Sequence, residues 1–227
     1  MRMRSVFLAL AAAIVTGCAA SAPTVDTTDE SRATFDGLYP VKGTRADEAW
    51  ARPGADLSQY SKVMMRGIRV EYRPGGESGR TAMSRSRGGP YEVTEEQKAA
   101  FVSIMAEQFL KELGKSKHFT IVSEPGPDVL LVRGALLDVV SYVPPEPIGA
   151  RDAVYLTRVA EATLVLELRD SITEAIFARA VDRRAAEDAI GFQESTRINN
   201  AAEVRRLAST WARMLRSRLD EFAKPVD

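Results

Sequence analysis

The sequence predicts an α+β fold: a two-layer sandwich in which a mostly antiparallel sheet of about five strands carries two amphipathic helices on one face. Three observations predict it. Phe101, Ile104, Met105, Phe109 and Leu113 recur at helical spacing, and so do Val204, Leu207, Trp211, Leu215, Leu219 and Phe222. Ala162, Leu164, Leu166 and Leu168 alternate with Glu161, Thr163, Glu167 and Arg169, the period of a strand with one buried face. Two helices with one apolar stripe each must bury those stripes, and a sheet offers the surface.

At the N-terminus, Arg2 and Arg4 precede an apolar run from Val6 to Val15, which leads through Thr16 and Gly17 to Cys18. A basic start, a short apolar run and small residues before a cut site form a secretory signal peptide. The run is about half the roughly 20 residues a membrane-spanning helix needs. A cysteine directly after the small residues resembles the lipobox of bacterial lipoproteins. That resemblance implies that the Cys18 thiol takes a diacylglyceryl group, that residues 1–17 are removed, and that the new amino terminus is acylated. More than one acyl chain makes a stable anchor. Ala19 and Ala20 after the cysteine imply, for a Gram-negative host, the default route to the outer membrane, with the rest of the chain in the periplasm.

Residues 18–34 are small and polar and read as a flexible tether, because they have little to bury against their ordering entropy. A coil of this length spans roughly 20–25 Å and lifts the rest of the chain clear of the lipid headgroups. Residues 35–227 read as a single α+β domain. It opens with an extended arm over 35–60, where Phe35, Leu38, Tyr39, Trp50, Leu57 and Tyr60 fit neither period.

The first strand is Lys62–Tyr72, with Gly67 at a change of alternation that marks a β-bulge. Residues 73–93, rich in Gly and Pro, form an exposed loop. Thr94 and Gln97 then make a capping box for a helix that stops at Gly114. His118–Ser123 and Asp128–Val143 are strands, the latter bent at Gly134 and partly buried on both faces. A loop over 144–153 leads to a strand at about Val154–Arg169. The hairpin connection Asp170–Glu174 returns the chain as Ala175–Arg184. A looser segment, 185–198, precedes a last helix capped by Asn200 with Glu203 and reaching about Phe222.

Charge excludes some partners. The chain has 31 Lys+Arg against 31 Asp+Glu, so no global basic excess points to nucleic acid. Cys18 is the only cysteine, so once it is acylated no disulfide, thiolate metal site or thiol nucleophile remains within the chain. A hydrophobic fraction of 45% with 7% aromatic suits one modest packed core.

No catalytic constellation stands out. His118 is the only histidine and has no cysteine or second histidine to share a zinc ion. Gly75-Gly76-Glu77-Ser78-Gly79 lacks the Gly-Lys-Ser/Thr and the helix start of a phosphate loop. Asp138, Glu161, Glu167, Asp170, Glu174 and Asp182 supply carboxylates for glycosidase-type chemistry. The alternation, however, puts Glu161 and Glu167 on a solvent face. Arg80, Arg85 and Arg87 in one loop, with Arg183 and Arg184 at the end of a strand, are candidate interaction residues for phosphate or an acidic partner.

Three segments carry a wider resemblance: Trp50-Ala51-Arg52-Pro53-Gly54-Ala55-Asp56-Leu57-Ser58-Gln59-Tyr60, Pro125-Gly126-Pro127-Asp128-Val129-Leu130 and Leu166-Glu167-Leu168-Arg169-Asp170-Ser171. With the lipobox, they resemble the proteobacterial lipoproteins of the domain of unknown function 3313 family. Related envelope lipoproteins often carry a glycine in the hairpin; here Glu174 follows Thr173 directly. The resemblance supplies no catalytic residue, metal or cofactor.

The expectation is therefore a non-enzymatic, membrane-anchored envelope lipoprotein. Its partners are the membrane through Cys18 and either another envelope protein or a second copy of itself. An envelope hydrolase or transferase acting on peptidoglycan or glycan through carboxylates, and a carrier of a small apolar ligand, stand as alternatives.

Overall fold

The computed structural model describes residues 23–74, 90–144, 153–187 and 191–223. Ten strands run in chain order: β1 (Thr24–Val25), β2 (Tyr39–Lys42), β3 (Glu48–Ala51), β4 (Lys62–Tyr72), β5 (Thr120–Val122), β6 (Val129–Ser141), β7 (Tyr155–Leu156), β8 (Arg158–Asp170), β9 (Ile176–Glu187) and β10 (Gln193–Glu194). Helix α1 (Glu95–Leu113) lies between β4 and β5, and α2 (Arg197–Phe222) follows β10. Eight strands form one sheet in the order β1-β2-β3-β9-β8-β6-β4-β5, while β7 and β10 pair separately.

The five expected strands are all present, and the fold is α+β with two helices. The sheet nevertheless has eight strands rather than about five. The three additional strands, β1 to β3, come from residues expected as tether and arm. They are two to four residues long, too short to display a two-residue period, and the sheet rather than their own sequence makes them strands. β1 pairs with β2, β2 with β3, and β3 with the outer edge of β9. The stretch before β2 is also tied down: Asp26, nearly buried, takes ion pairs from Arg32 and Lys42.

β4 is parallel to both β5 and β6, and the other pairings of the large sheet are antiparallel. Parallel neighbours need a crossover, which α1 supplies. The capping box is formed: Thr94 Oγ1 accepts the Gln97 N–H, and the Gln97 side chain accepts the Thr94 N–H. The bulge at Gly67 is present, since Arg66 to Arg69 on β4 spans one residue more than Arg133 to Ala135 on β6.

Gly134 does not bend β6 away from β8. It stays in register with Leu166, and its missing side chain lets Ile68 and Leu166 approach over it. The irregularity lies further on, between Leu137 and Val140, where Asp138 adopts φ 55°. At the β8–β9 turn, Glu174 takes the left-handed conformation itself (φ 56°). Arg66 and Arg133 hold its carboxylate at 2.8 and 3.3 Å, which offsets part of the backbone cost of a non-glycine residue there.

Helix α2 starts earlier than expected. Thr196, not Asn200, accepts the Asn199 N–H as N-cap. Asn200 bonds Ser195 instead, and Glu203 is buried and paired with Arg206. β9 continues to Glu187, into the segment expected to be loose.

The helices pack on each other. Phe101, Met105 and Phe109 of α1 and Val204, Leu207 and Trp211 of α2 share a buried cluster with Leu136, Ala162 and Leu164 of the sheet. A second cluster joins Leu113 and Leu219 to Tyr60, Val63, Leu130, Val132 and Leu168. On the other face of β6, Val129 and Leu131 pack with Met64, so the start of this strand is buried on both faces as expected. Trp211 is 1% exposed, and its indole N–H donates to Asp182 at 2.7 Å. Trp211→Ala should cost about 3–5 kcal/mol in urea unfolding. Trp211→Phe, which leaves Asp182 short of a donor, should cost about 1–3 kcal/mol. An unchanged midpoint in both variants would contradict this packing.

Candidate functional site

Of the residues singled out from sequence, Cys18, Arg80, Arg85 and Arg87 lie outside the described residues. Arg183 and Arg184 are neighbours on β9 and so point to opposite faces. Arg183 Nε donates to Glu161 at 2.5 Å, and Arg184 Nε donates to Asp182 at 2.5 Å. They form two separate ion pairs rather than one basic patch.

The carboxylates are likewise occupied. Glu161 and Glu167, expected on a solvent face, have side chains only 13% and 20% exposed. Glu161 accepts from Arg158, Arg183 and Tyr142. Glu167 lies between Arg169 (2.8 Å) and Arg179 (2.9 Å), and Arg179 also holds Asp36 at 2.5 Å. The N-terminal segment, read as an arm, thus supplies part of this network. Burial raises both carboxyls, but their arginine and tyrosine partners outweigh it and the net shift is downward. Asp138 is paired with Arg73. His118 is exposed ahead of β5. Among the described residues no group of His, Cys, Asp or Glu side chains is placed to hold a metal ion.

The surface carries an apolar cleft that the sequence did not reveal. Residues opposite one another in paired strands share a face. The register places Ala51, Ala178, Leu168 and Val132 in one row and Ala49, Ala180, Leu166 and Gly134 in the next. Asp182, Leu164 and Leu136 make a third row, which leads to Trp211. Over β6 and β8 these rows are covered by the helices. Toward β3, β2 and β1 the helices no longer reach, and the floor falls away to alanines. The result is a cleft of about 200 Å³ along the C-terminal half of α2. Met214, Leu215, Leu219 and Phe222 form one wall, and Pro23, Val25 and Val41 form the opposite lip. Phe222 is 42% exposed, so the last member of the helix stripe is not packed as expected.

The inner end is closed by polar groups that satisfy one another. Asp182, 3% exposed, accepts from the Trp211 indole, from Arg184 and from the Asp47 backbone N–H (3.3 Å). At the rim, Arg218 pairs with Glu221 at 2.6 Å. Arg45 is exposed there and engages no carboxylate among the described residues. The sequence held one usable signal for this site, the alternating alanines at 49, 51, 178 and 180. Its meaning depended on a pairing between distant strands.

Fold and site together define an α+β domain with an apolar recess beside its last helix. The family model described as "Protein of unknown function (DUF3313)" matches residues 27–215, and the chain belongs to that family. No curated protein matches it. Among solved structures it is similar to protein XCC0632 from Xanthomonas campestris, of family DUF330, at 9% identity over 79% of this chain and 92% of that one (TM-score 0.45). It is also similar to the PelC dodecamer chain from Paraburkholderia phytofirmans, at 14% identity over 73% and 96% (TM-score 0.34). A third is the hypothetical protein CT253 from Chlamydia trachomatis, at 9% identity over 72% and 98% (TM-score 0.39). At such scores these likenesses carry no functional argument.

One carboxylate gives the fold a measurable pH dependence. Asp170 closes the β8–β9 turn by accepting the backbone N–H groups of Thr173 (2.7 Å) and Ile172 (2.9 Å) and the Tyr60 hydroxyl (2.7 Å). The Thr173 N–H first, then Tyr60, hold its carboxyl down at about 2. Burial, and then the Asp170 bond, push Tyr60 up to about 12. A lowered carboxyl stabilises the fold above its unfolded value of 3.8 and loses that contribution as the pH falls toward 2. Allowing for solvent screening, the contribution is about 1 kcal/mol. Asp170→Asn should therefore lower the urea midpoint at neutral pH and flatten its decline in acid. Equal acid slopes in the two proteins would remove this role.

Proposed function

We propose that the chain is an outer-membrane-anchored periplasmic lipoprotein of a Gram-negative bacterium, and that its domain is a binding module of the envelope rather than an enzyme. The lipobox at Cys18 supports the anchor. The apolar cleft is the observation that carries the binding role. The proposed layering, with both helices on one face of the sheet, accounts for it: two helices cannot cover eight strands, and the uncovered part is recessed rather than flat. No described helix is long and apolar enough to cross a membrane, so the lipid on Cys18 is the anchor in this reading.

The carboxylate chemistry of a glycan hydrolase fits the geometry poorly. Glu161 and Glu167 lie six positions apart on one strand, a separation of roughly 20 Å. A glycosidase pair sits about 5–10 Å apart and keeps one member protonated by a raised pKa. Both of these groups are instead lowered by their arginines. The carrier reading gains from the same cleft, since a small apolar ligand needs an apolar recess.

Thr24, where β1 begins, is only six positions after Cys18. Six residues reach at most about 20 Å, so the domain lies against the bilayer in this reading instead of being lifted clear of it. Cys18→Ala should move the protein from the membrane fraction to the soluble one and abolish the mass added by acylation. A photo-crosslinker at Met214 should mark whatever occupies the cleft in intact cells. A native Cys18 thiol in the mature protein would exclude the anchor, and a Met214 probe that marks neither ligand nor partner would count against the binding module.

A further inference from the structure

We infer that the cleft beside α2 takes a single acyl chain of an anionic lipid drawn from the bilayer next to the domain. The inference rests on the binding-module reading for its site and specifies the ligand.

The first argument is the lining. The floor is alanine and the wall is Met214, Leu215, Leu219 and Phe222. The polar groups at the inner end, Asp182 and the Trp211 N–H, are consumed by each other and by Arg184. An occupant that must donate or accept hydrogen bonds, such as an added peptide strand, gains nothing there and loses its own hydration. A hydrocarbon chain has no such requirement, and each methylene buried contributes about 0.8 kcal/mol.

Size is the second argument. A dry cavity of about 150 Å³ holds one benzene, so about 200 Å³ admits a short stretch of one chain. It does not admit a partner helix about 10 Å across. The cleft is only partly enclosed, so the remainder of the chain and its head group can leave at the rim.

Position and charge select the lipid. The lip is made by Pro23 and by Val25 of β1, which stands at the end of the chain that leads to Cys18. The mouth therefore lies within about 20 Å of the anchor. Arg45 stands at that mouth with no carboxylate partner among the described residues, which complements an anionic head group. The acyl chains on Cys18 itself offer no negative charge to Arg45, which is why a bilayer lipid is the better occupant.

The test uses the full chain, both lipidated from membranes and as the Cys18→Ala form. It is titrated with a polyene fatty acid that fluoresces when buried, and with the corresponding neutral alcohol. Both protein forms should bind the acid. Ala180→Phe fills the centre of the floor, and Ala49→Leu fills it from the neighbouring strand. Each should weaken binding by roughly tenfold or more while thermal melting shows the fold retained. The second variant keeps the test open if the first fails to fold. Arg45→Glu should weaken the acid by about fivefold, the size of one exposed ion pair, and leave the alcohol unchanged.

Unaltered binding in either folded filled variant overturns the inference. So does loss of acid and alcohol alike on Arg45→Glu. Binding by the Cys18→Ala form alone would mean that the protein's own acyl chain fills the cleft, and this too overturns it. Failure of the anchor is read separately: a Cys18 without lipid by mass, in a chain that still binds the acid, removes the lipoprotein reading and with it the adjacent bilayer as the source, and leaves the acyl site standing.

Discussion

Asp182 is a carboxylate on the helix-facing side of the sheet, and the arrangement around it depends on how that charge is satisfied. Buried and alone it would be strongly destabilising. Its donors come from three places: the Trp211 indole on α2, Arg184 on its own strand, and the Asp47 N–H just ahead of β3. One acceptor thereby fixes the last helix over β9 and steers the N-terminal segment onto the outer edge of that strand. The cleft opens between those two attachments. If α2 lay closer to β3 the recess would close, and if β3 did not join β9 it would have no floor.

The same logic explains why the outer half of the sheet is built differently from the inner half. β6 and β8 are long, and their rows of leucine and valine pack in clusters with residues of both helices. β3 and the start of β9 present alanine on the same face. α2 packs here through Trp211 and against α1. On the opposite face, Glu167, Arg179 and Asp36 interlock, so the strands of the outer half are joined from behind by charge rather than from the front by apolar packing. A surface pair is worth little, but these side chains are largely buried and shared.

Much of the architecture was legible in the sequence because it is local. A capping box at Thr94, a bulge at Gly67 and the alternation of Ala162 to Leu168 each announce themselves within a few residues. What was illegible depends on distant partners. β1 to β3 become strands only because β9 offers an edge. Glu174 can sit at positive φ because two arginines from other strands meet it there. Thr196 and Asn200 are both competent N-caps, and the choice was made by β10, which ends two residues before Thr196. The site was less legible still: its floor joins alanines near position 50 to alanines near 180, and no window of sequence contains both. The role proposed for Cys18, by contrast, is argued without any fold, from the residues immediately before it.

The parallel pairing of β4 with β6 and the late joining of β3 to β9 give the sheet an order of assembly. β8 and β9 are linked by a tight turn and β6 adds next to them, so their contacts close short loops. β4 must wait for the crossover through α1, and β3 must find β9 across the longest separation of any strand pair in the sheet. On this ground β1 to β3, on the outer side of the cleft, are expected to dock last and to detach first in local opening. Their backbone amides should exchange with solvent well before those of β6 and β8. A recess built on such strands could widen without disturbing the core, which would give the proposed acyl chain a route in that does not require the protein to unfold.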